Sequence, residues 1–365
     1  MKISSCLYVL YATCVLLTIE KLHSQSSQTQ QLQTTIDAIV SEKMEKYDIP
    51  GLAIGIISQD TIMYTKGYGV RSIYTSDPVT ENSVFHTASI SKLFTAIAII
   101  DLEQKGCLRL DDTLVEIAPE LRFQDKNVSL ITIRQLLNHT SGLGDISNYN
   151  WSTHNQSKNS LKNSLLKLSL KCKQKPSTTY SYSNLGYNIL GYIIEKITNQ
   201  SFEDYVQKEI LNTIGMSHSD FRYYNIPDHL RTSPHSRSWF NKTYIRKNYP
   251  YTREHAPSST LNASARDLSL WMISFLSDLK DPSNRGYQNM ILPSFESYPY
   301  IGLGFQLYDV HSNKAIGHYG GDTGFRSFLM MIPEQNIGII LLANCDYNED
   351  FRQEIVYEIA SLIMH

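Results

Sequence analysis

The sequence predicts an α+β protein in which one antiparallel sheet, drawn from both ends of the chain, is flanked by helices and carries an inserted helical lobe. Two observations lead there. Strand-like runs cluster near the N-terminus (Leu52 to Ile57, Thr61 to Thr65) and near the C-terminus (Ala315 to Gly321, Phe325 to Ile332, Ile337 to Ala343). Helix-like runs fill the interval between them. Strands from distant segments that share one core give a single module over residues 35–365, with a sheet lobe from 35–88 and 265–365 and a mainly helical lobe from 89–264. At 365 residues, 42% hydrophobic and 19% charged, the chain has ample apolar surface for such a core.

The elements follow in order. Residues 1–24 read as a signal peptide: Lys2 precedes the apolar stretch Cys6 to Ile19, which is short for a membrane span, and Ser24 offers a small residue for cleavage before Gln25. An uncleaved anchor is the alternative, kept open by Glu20 and Lys21 beside that site. The chain is therefore expected to be exported, periplasmic or secreted, with no stable membrane span after signal removal. Residues 25–34 are polar and read as a mobile leader, and Ile36 to Tyr47 has helical period. Pro50-Gly51 punctuates before the first two strands, which join at Ser58-Gln59-Asp60, and Gly67-Tyr68-Gly69 bends the chain away. Leu93 to Leu102 holds no Gly or Pro and stops at Lys105-Gly106, as a helix would. Thr132 to Leu137 is a short helix ending at Asn138, residues 144–160 are loop-like, and Leu161 to Leu170 is a basic amphipathic helix. Pro176 to Asn184 is a loop before a helix over Leu185 to Thr198. Residues 221–260, rich in Tyr, His, Arg and Pro with little periodicity, suit a wall over a cleft. Ser264-Ala265-Arg266-Asp267 starts a helix to Phe275, Gly302 to Phe305 opens the C-terminal strands, and Phe351 to Met364 closes with a helix.

Composition narrows the function. With 33 basic and 35 acidic residues, and a net charge of −2, nothing favours a nucleic-acid partner. Cys107, Cys172 and Cys345 remain beyond the leader without CxxC spacing, so they read as buried thiols with at most one bridge. No HExxH, dense His/Asp cluster, Walker or dinucleotide glycine pattern occurs, so neither metal nor cofactor is expected. The expected partner is a small-molecule or peptide substrate.

Three short patterns carry chemistry. Ser89 opens the Leu93 helix and Lys92 lies one turn on, so a desolvated amine can reach the hydroxyl and take its proton. Ser-x-x-Lys alone is weak, since it recurs at Ser164–Lys167 and Ser277–Lys280. Tyr182-Ser183-Asn184 precedes a helix, and Gly317-His318-Tyr319-Gly320-Gly321 begins a strand.

In this order and context the three patterns resemble those of the penicillin-recognising serine hydrolases: class C β-lactamases, D-alanyl-D-alanine carboxypeptidases and related esterases. Pro50-Gly51-Leu52-Ala53, Leu136 to Leu143 and Gly302 to Phe305 also look like that superfamily, so the resemblance spans roughly residues 35–365. It implies the β-lactamase/penicillin-binding-protein fold and a serine hydrolase working through an acyl-enzyme. Ser89 would be the nucleophile, and Lys92 and Tyr182 would share the proton work, with the resting base left open. Asn184 would bind substrate or the lysine amine, and His318, Tyr319, Gly320 and Gly321 would line the substrate, with the N–H groups of Ser89 and Gly321 as oxyanion hole. His139 reads as a loop-fixing hydrogen-bonder. The β-lactamase branch has Lys-Thr-Gly where His318-Tyr319-Gly320 stands, so the resemblance implies a titratable histidine cation and weakened β-lactam turnover, with Arg326 either restoring a positive partner or standing as a solvated strand residue. Esterase, carboxypeptidase, weak class C β-lactamase and a non-enzymatic cell-wall peptide binder all remain open.

Overall fold

The computed structural model describes residues 28–146, 148–347 and 350–364. The expected signal peptide lies outside them. Six strands form one sheet in the order Thr61–Gly69, Gly51–Ser58, Ile337–Ala343, Phe325–Ile332, Asn313–Asp322 and Gln306–Val310. All neighbours are antiparallel, with Leu52 opposite Ala343 and Ile56 opposite Ile339. The two ends of the chain thus build the sheet together, as its strand pattern implied.

Both faces of that sheet are covered, which is why its central strands are apolar at nearly every position. Leu52, Ile54 and Ile56 share one face with Phe328, Met330, Ile339 and Leu341, under the helices over residues 28–47 and Phe351–Ile363. Ala53, Ile57, Leu329, Met331, Ile340 and Leu342 face the larger core. Helix Ala265–Lys280 lies on this second face. Gly55 permits that close approach: a Cβ there would sit 2.3 Å from the Ser269 Oγ and 2.9 Å from the Ala265 carbonyl oxygen.

Helix Ser91–Gln104 is buried at every residue from Ser91 to Ile100 and runs through the middle of the helical lobe, against Asn184–Thr198 and Ala256–Ser259. Its neighbours start at side-chain caps: Ser183 accepts from the Gly186 N–H, Thr132 from Gln135, and Ser264 from Asp267. Strand Val84–His86 pairs with Asn262–Ser264 and delivers the chain into the Ser91 helix beside the main sheet.

Five local expectations change. Residues 28–34 belong to a helix that runs to residue 47, where a mobile leader was expected; Leu32, Ile36 and Val40, spaced by four, put its apolar stripe on the sheet. The second strand continues through Gly67-Tyr68 to Gly69. The basic helix spans Ser160–Lys167, and Ser169–Leu170 then pairs in parallel with Arg122–Phe123. Gly302 to Phe305 is irregular because Gly304 takes φ +92°, and the strand starts at Gln306. Cys172 and Cys345 are buried thiols, whereas Cys107 is exposed, and none of the three is bridged. Among the described residues no helix is long and apolar enough to cross a membrane, and no group of three or more His, Cys, Asp or Glu could hold a metal.

Candidate active site

Ser89 is presented by a tightly held turn. The Thr87 N–H and hydroxyl both donate to the Leu261 carbonyl at 2.8 and 3.0 Å, and the Ser327 hydroxyl donates to the Thr87 carbonyl at 2.8 Å. Ala88 is forced to φ +50°, a left-handed conformation that costs a non-glycine residue about 1–2 kcal/mol. The result is selective exposure: between Ser83 and Ile100, Ser89 is the one residue that is not buried. Gly320 lets the sheet close on this turn, since a Cβ there would meet the Thr87 carbonyl oxygen at 2.3 Å and the Ser327 Oγ at 2.1 Å.

The Ser89 Oγ is held from two sides, by Lys92 Nζ at 3.0 Å and by the Tyr182 hydroxyl at 2.8 Å. Lys92 Nζ also donates to Asn184 Oδ1 and to the Ser258 carbonyl, both at 2.7 Å. A neutral amine has two N–H donors and one lone pair. With the donors on Asn184 and Ser258, the lone pair is left for the Ser89 hydroxyl. Burial drives the Lys92 pKa down from 10.5 to about 7, against the opposing pull of the Asp145 and Asp322 carboxylates. Burial pushes the Tyr182 phenol well above its ordinary value, so it keeps its proton. The amine can therefore accept a proton near neutrality while the phenol can only donate one.

This buried lysine leaves a signature in stability. Its folded pKa lies below its unfolded value, so between about pH 7 and pH 10.5 the unfolded chain binds the extra proton and stability rises with pH. Relative to Lys92→Met, the wild type should gain on the order of 3–5 kcal/mol across that window, read as converging denaturant midpoints at pH 6.5 and 10. Parallel profiles would show that the amine is not desolvated.

Asn184 opens its helix and is oriented by a residue that sequence reading passed over. Asp145 accepts from the Asn184 backbone N–H at 2.7 Å, from its side-chain amide at 2.9 Å and from the Leu185 N–H at 3.3 Å. A carboxylate at a helix N-terminus suits the unpaired N–H groups and dipole there. It fixes the Asn184 amide with its oxygen toward Lys92. Asp145 and the Ser258 carbonyl lie in stretches read as loop and wall, and no spacing marks them. His139 accepts from the Ser183 N–H at 3.1 Å and packs tilted against the Tyr182 ring, centroids 4.3 Å apart, which is the loop-fixing role expected of it.

The His318-Tyr319-Gly320-Gly321 expectations divide. Gly321 is exposed and Gly320 closes the gap to Thr87. His318 is 1% exposed behind Tyr182, its Nδ1 is paired with the Tyr319 carbonyl, and burial beside Lys92 lowers its pKa to about 3. It is a neutral buried imidazole rather than a cation offered to substrate. Tyr319, the next residue on the strand, points to the opposite face, stacked 3.9 Å from Phe328 in a groove with Tyr308 and Tyr357. It does not enter the Ser89 cleft. The Arg326 guanidinium donates to the backbone carbonyls of Asp322, Phe325 and Asp346.

Known proteins share this arrangement of chain. Protein flp of Staphylococcus aureus (strain MW2) is 28% identical over 355 residues, covering 92% of this chain and 68% of that protein. Penicillin-binding protein 4* of Bacillus subtilis (strain 168) is 28% identical over 358 residues, covering 91% of this chain and 75% of that one. Among solved structures, the octameric penicillin-binding protein homologue from Pyrococcus abyssi superposes with a TM-score of 0.77 at 25% identity, over 90% of this chain and 77% of its own. The Beta-lactamase family model matches residues 36–362, from the first helix to the last and through Ser89, Tyr182 and His318 alike, and the chain belongs to that family.

Proposed function

We propose that the protein is a serine hydrolase that cleaves an ester or amide through an acyl-Ser89 intermediate. The observation that carries this reading is the Ser89 Oγ held at once by a buried amine at 3.0 Å and a phenol at 2.8 Å. Lys92, in the neutral form that its pKa of about 7 makes available, takes the Ser89 proton as Oγ attacks the substrate carbonyl carbon. The oxyanion that forms is met by the backbone N–H groups of Ser89 and Gly321, each worth roughly 3 kcal/mol by analogy with other hydrolases. Tyr182 gives its proton to the leaving oxygen or nitrogen, the carbonyl–leaving-group bond breaks, and the proton on Lys92 restores the phenol. Water then attacks the acyl-enzyme, with its proton passing to Lys92, and Ser89 leaves reprotonated.

Within this class the cleft supports esters and neutral amides over β-lactams. A β-lactam carries a carboxylate that must be matched by a cation, whereas His318 is neutral, Tyr319 is turned away and Asp145 and Asp322 add negative charge. The purified protein is expected to hydrolyse a short-chain nitrophenyl ester and to turn over a chromogenic cephalosporin slowly or not at all. Faster cephalosporin than ester hydrolysis would make β-lactamase the function. Acylation by neither class of substrate would leave a binder.

A further inference from the structure

Beside Gly321 on the same strand, Asp322 sets a carboxylate toward the helical lobe. Its side chain is 12% exposed. Oδ1 accepts from the Trp151 indole N–H at 3.0 Å and from the Thr323 N–H at 2.7 Å, and Oδ2 lies 3.3 Å from His86 Nε2. A carboxylate has about four acceptor positions, so Oδ2 keeps capacity for another donor. Trp151 stacks on Tyr149 at 4.8 Å, and both rings pack edge-on against His255, which itself holds the Asn188 amide at 3.0 Å. Asp322 follows Gly321 directly on the strand, and its charge acts on Lys92, Tyr149 and His255.

We propose that Asp322, Trp151 and Tyr149 form a subsite for a positively charged, ammonium-type group of the substrate. The proposal rests on the acyl-Ser89 reading for its place beside the reacting carbonyl. A carboxylate that keeps a spare acceptor position beside a stacked aromatic pair can take an organic cation by charge and by contact with its carbon groups. His86 touches Oδ2 and would share that oxygen with the ligand. Asp145 and Asp322 contribute negative charge, while His139, His255 and His318 are held neutral by burial. Lys92 loses its charge as it becomes competent to act, and Arg326 is turned onto backbone carbonyls, including that of Asp322 itself. A substrate carboxylate would meet repulsion where an ammonium would find a partner.

The test compares nitrophenyl esters of similar acyl length ending in an ammonium, a methyl or a carboxylate group. Wild-type kcat/KM should fall in that order, by roughly tenfold per step. In Asp322→Asn the ammonium-to-methyl ratio should collapse to about one, and Tyr149→Leu should reduce it in part. Equal rates on the three esters in the wild type, or an unchanged ratio in both variants, would overturn the subsite. Failure to cleave even the methyl ester would instead refute the hydrolase reading. The subsite is then read without turnover, by titrating Ser89→Ala protein with butylammonium and with butyrate and following tryptophan fluorescence. Saturable quenching by butylammonium alone, absent in Trp151→Phe, supports it. No response, or the same response to both ions, rejects it.

Discussion

Ser89→Ala is expected to lower ester hydrolysis by at least about 10⁴-fold, because the arrangement around it has no other nucleophile to activate. The removed hydroxyl is half-exposed, and the turn that carries it is held by Thr87, Ser327 and Leu261, so the fold should survive the change. Intact mass after a fluorophosphonate probe should rise by one adduct in the wild type and not in the variant. Ser164→Ala is the matched control: this Ser-x-x-Lys serine donates to the Leu161 carbonyl on a helix carrying none of the Tyr182 or Asn184 partners. Equal loss in the two variants, or activity untouched by Ser89→Ala, would remove Ser89 from the mechanism.

Lys92→Met and Tyr182→Phe should each lower acylation by about 10²–10⁴-fold, with the double variant no more than about tenfold worse than the poorer single one. Both groups reach the same oxygen, at 3.0 and 2.8 Å, and they serve one proton's passage from Ser89 to the leaving group. Once either is missing the other has no complete transfer to assist. Methionine keeps most of the lysine's volume in a fully buried site, which separates lost chemistry from a cavity. Single-turnover acylation rates measure this directly. Losses that multiply would mean that the two side chains act on separate steps.

How much of this was readable beforehand depends on the length scale of the signal. The order Ser89–Lys92, Tyr182–Asn184 and His318–Gly320 was legible because the first two patterns sit at the starts of strongly periodic helices, whereas the third, expected to begin a strand, falls near the end of Asn313–Asp322. Caps at Ser183, Thr132 and Ser264 fall where the sequence put helix starts. The protonation of His318 was not legible, since its burial is set by packing against residues far away in the chain, such as Tyr182. Tyr319 was misplaced for a simpler reason: a side chain's face on a strand follows parity from its neighbours, and the neighbouring Gly320 and Gly321 show no apolar alternation to fix it. Asp145 and Asp322 escaped because their partners lie 39 and 171 residues away in the chain, at Asn184 and Trp151. The polar stretch over residues 28–34 hid one apolar stripe, Leu32 with Ile36 and Val40, behind glutamines that are themselves good helix formers.

The pairing of Gly51–Ser58 with Ile337–Ala343 also sets a timetable for the nascent chain. Leu52 and Ala343 are partners about 290 residues apart, so at a synthesis rate of roughly 5–20 residues per second the first strand waits some tens of seconds for its inner neighbour. During that interval only the hairpin with Thr61–Gly69 is available to it, and its other edge presents an apolar, unpaired row to anything nearby. The helical lobe, rich in local contacts, has no such delay. Ser89 can therefore meet Lys92 and Tyr182 early in synthesis, but it meets Gly321 only after about 230 further residues have been added.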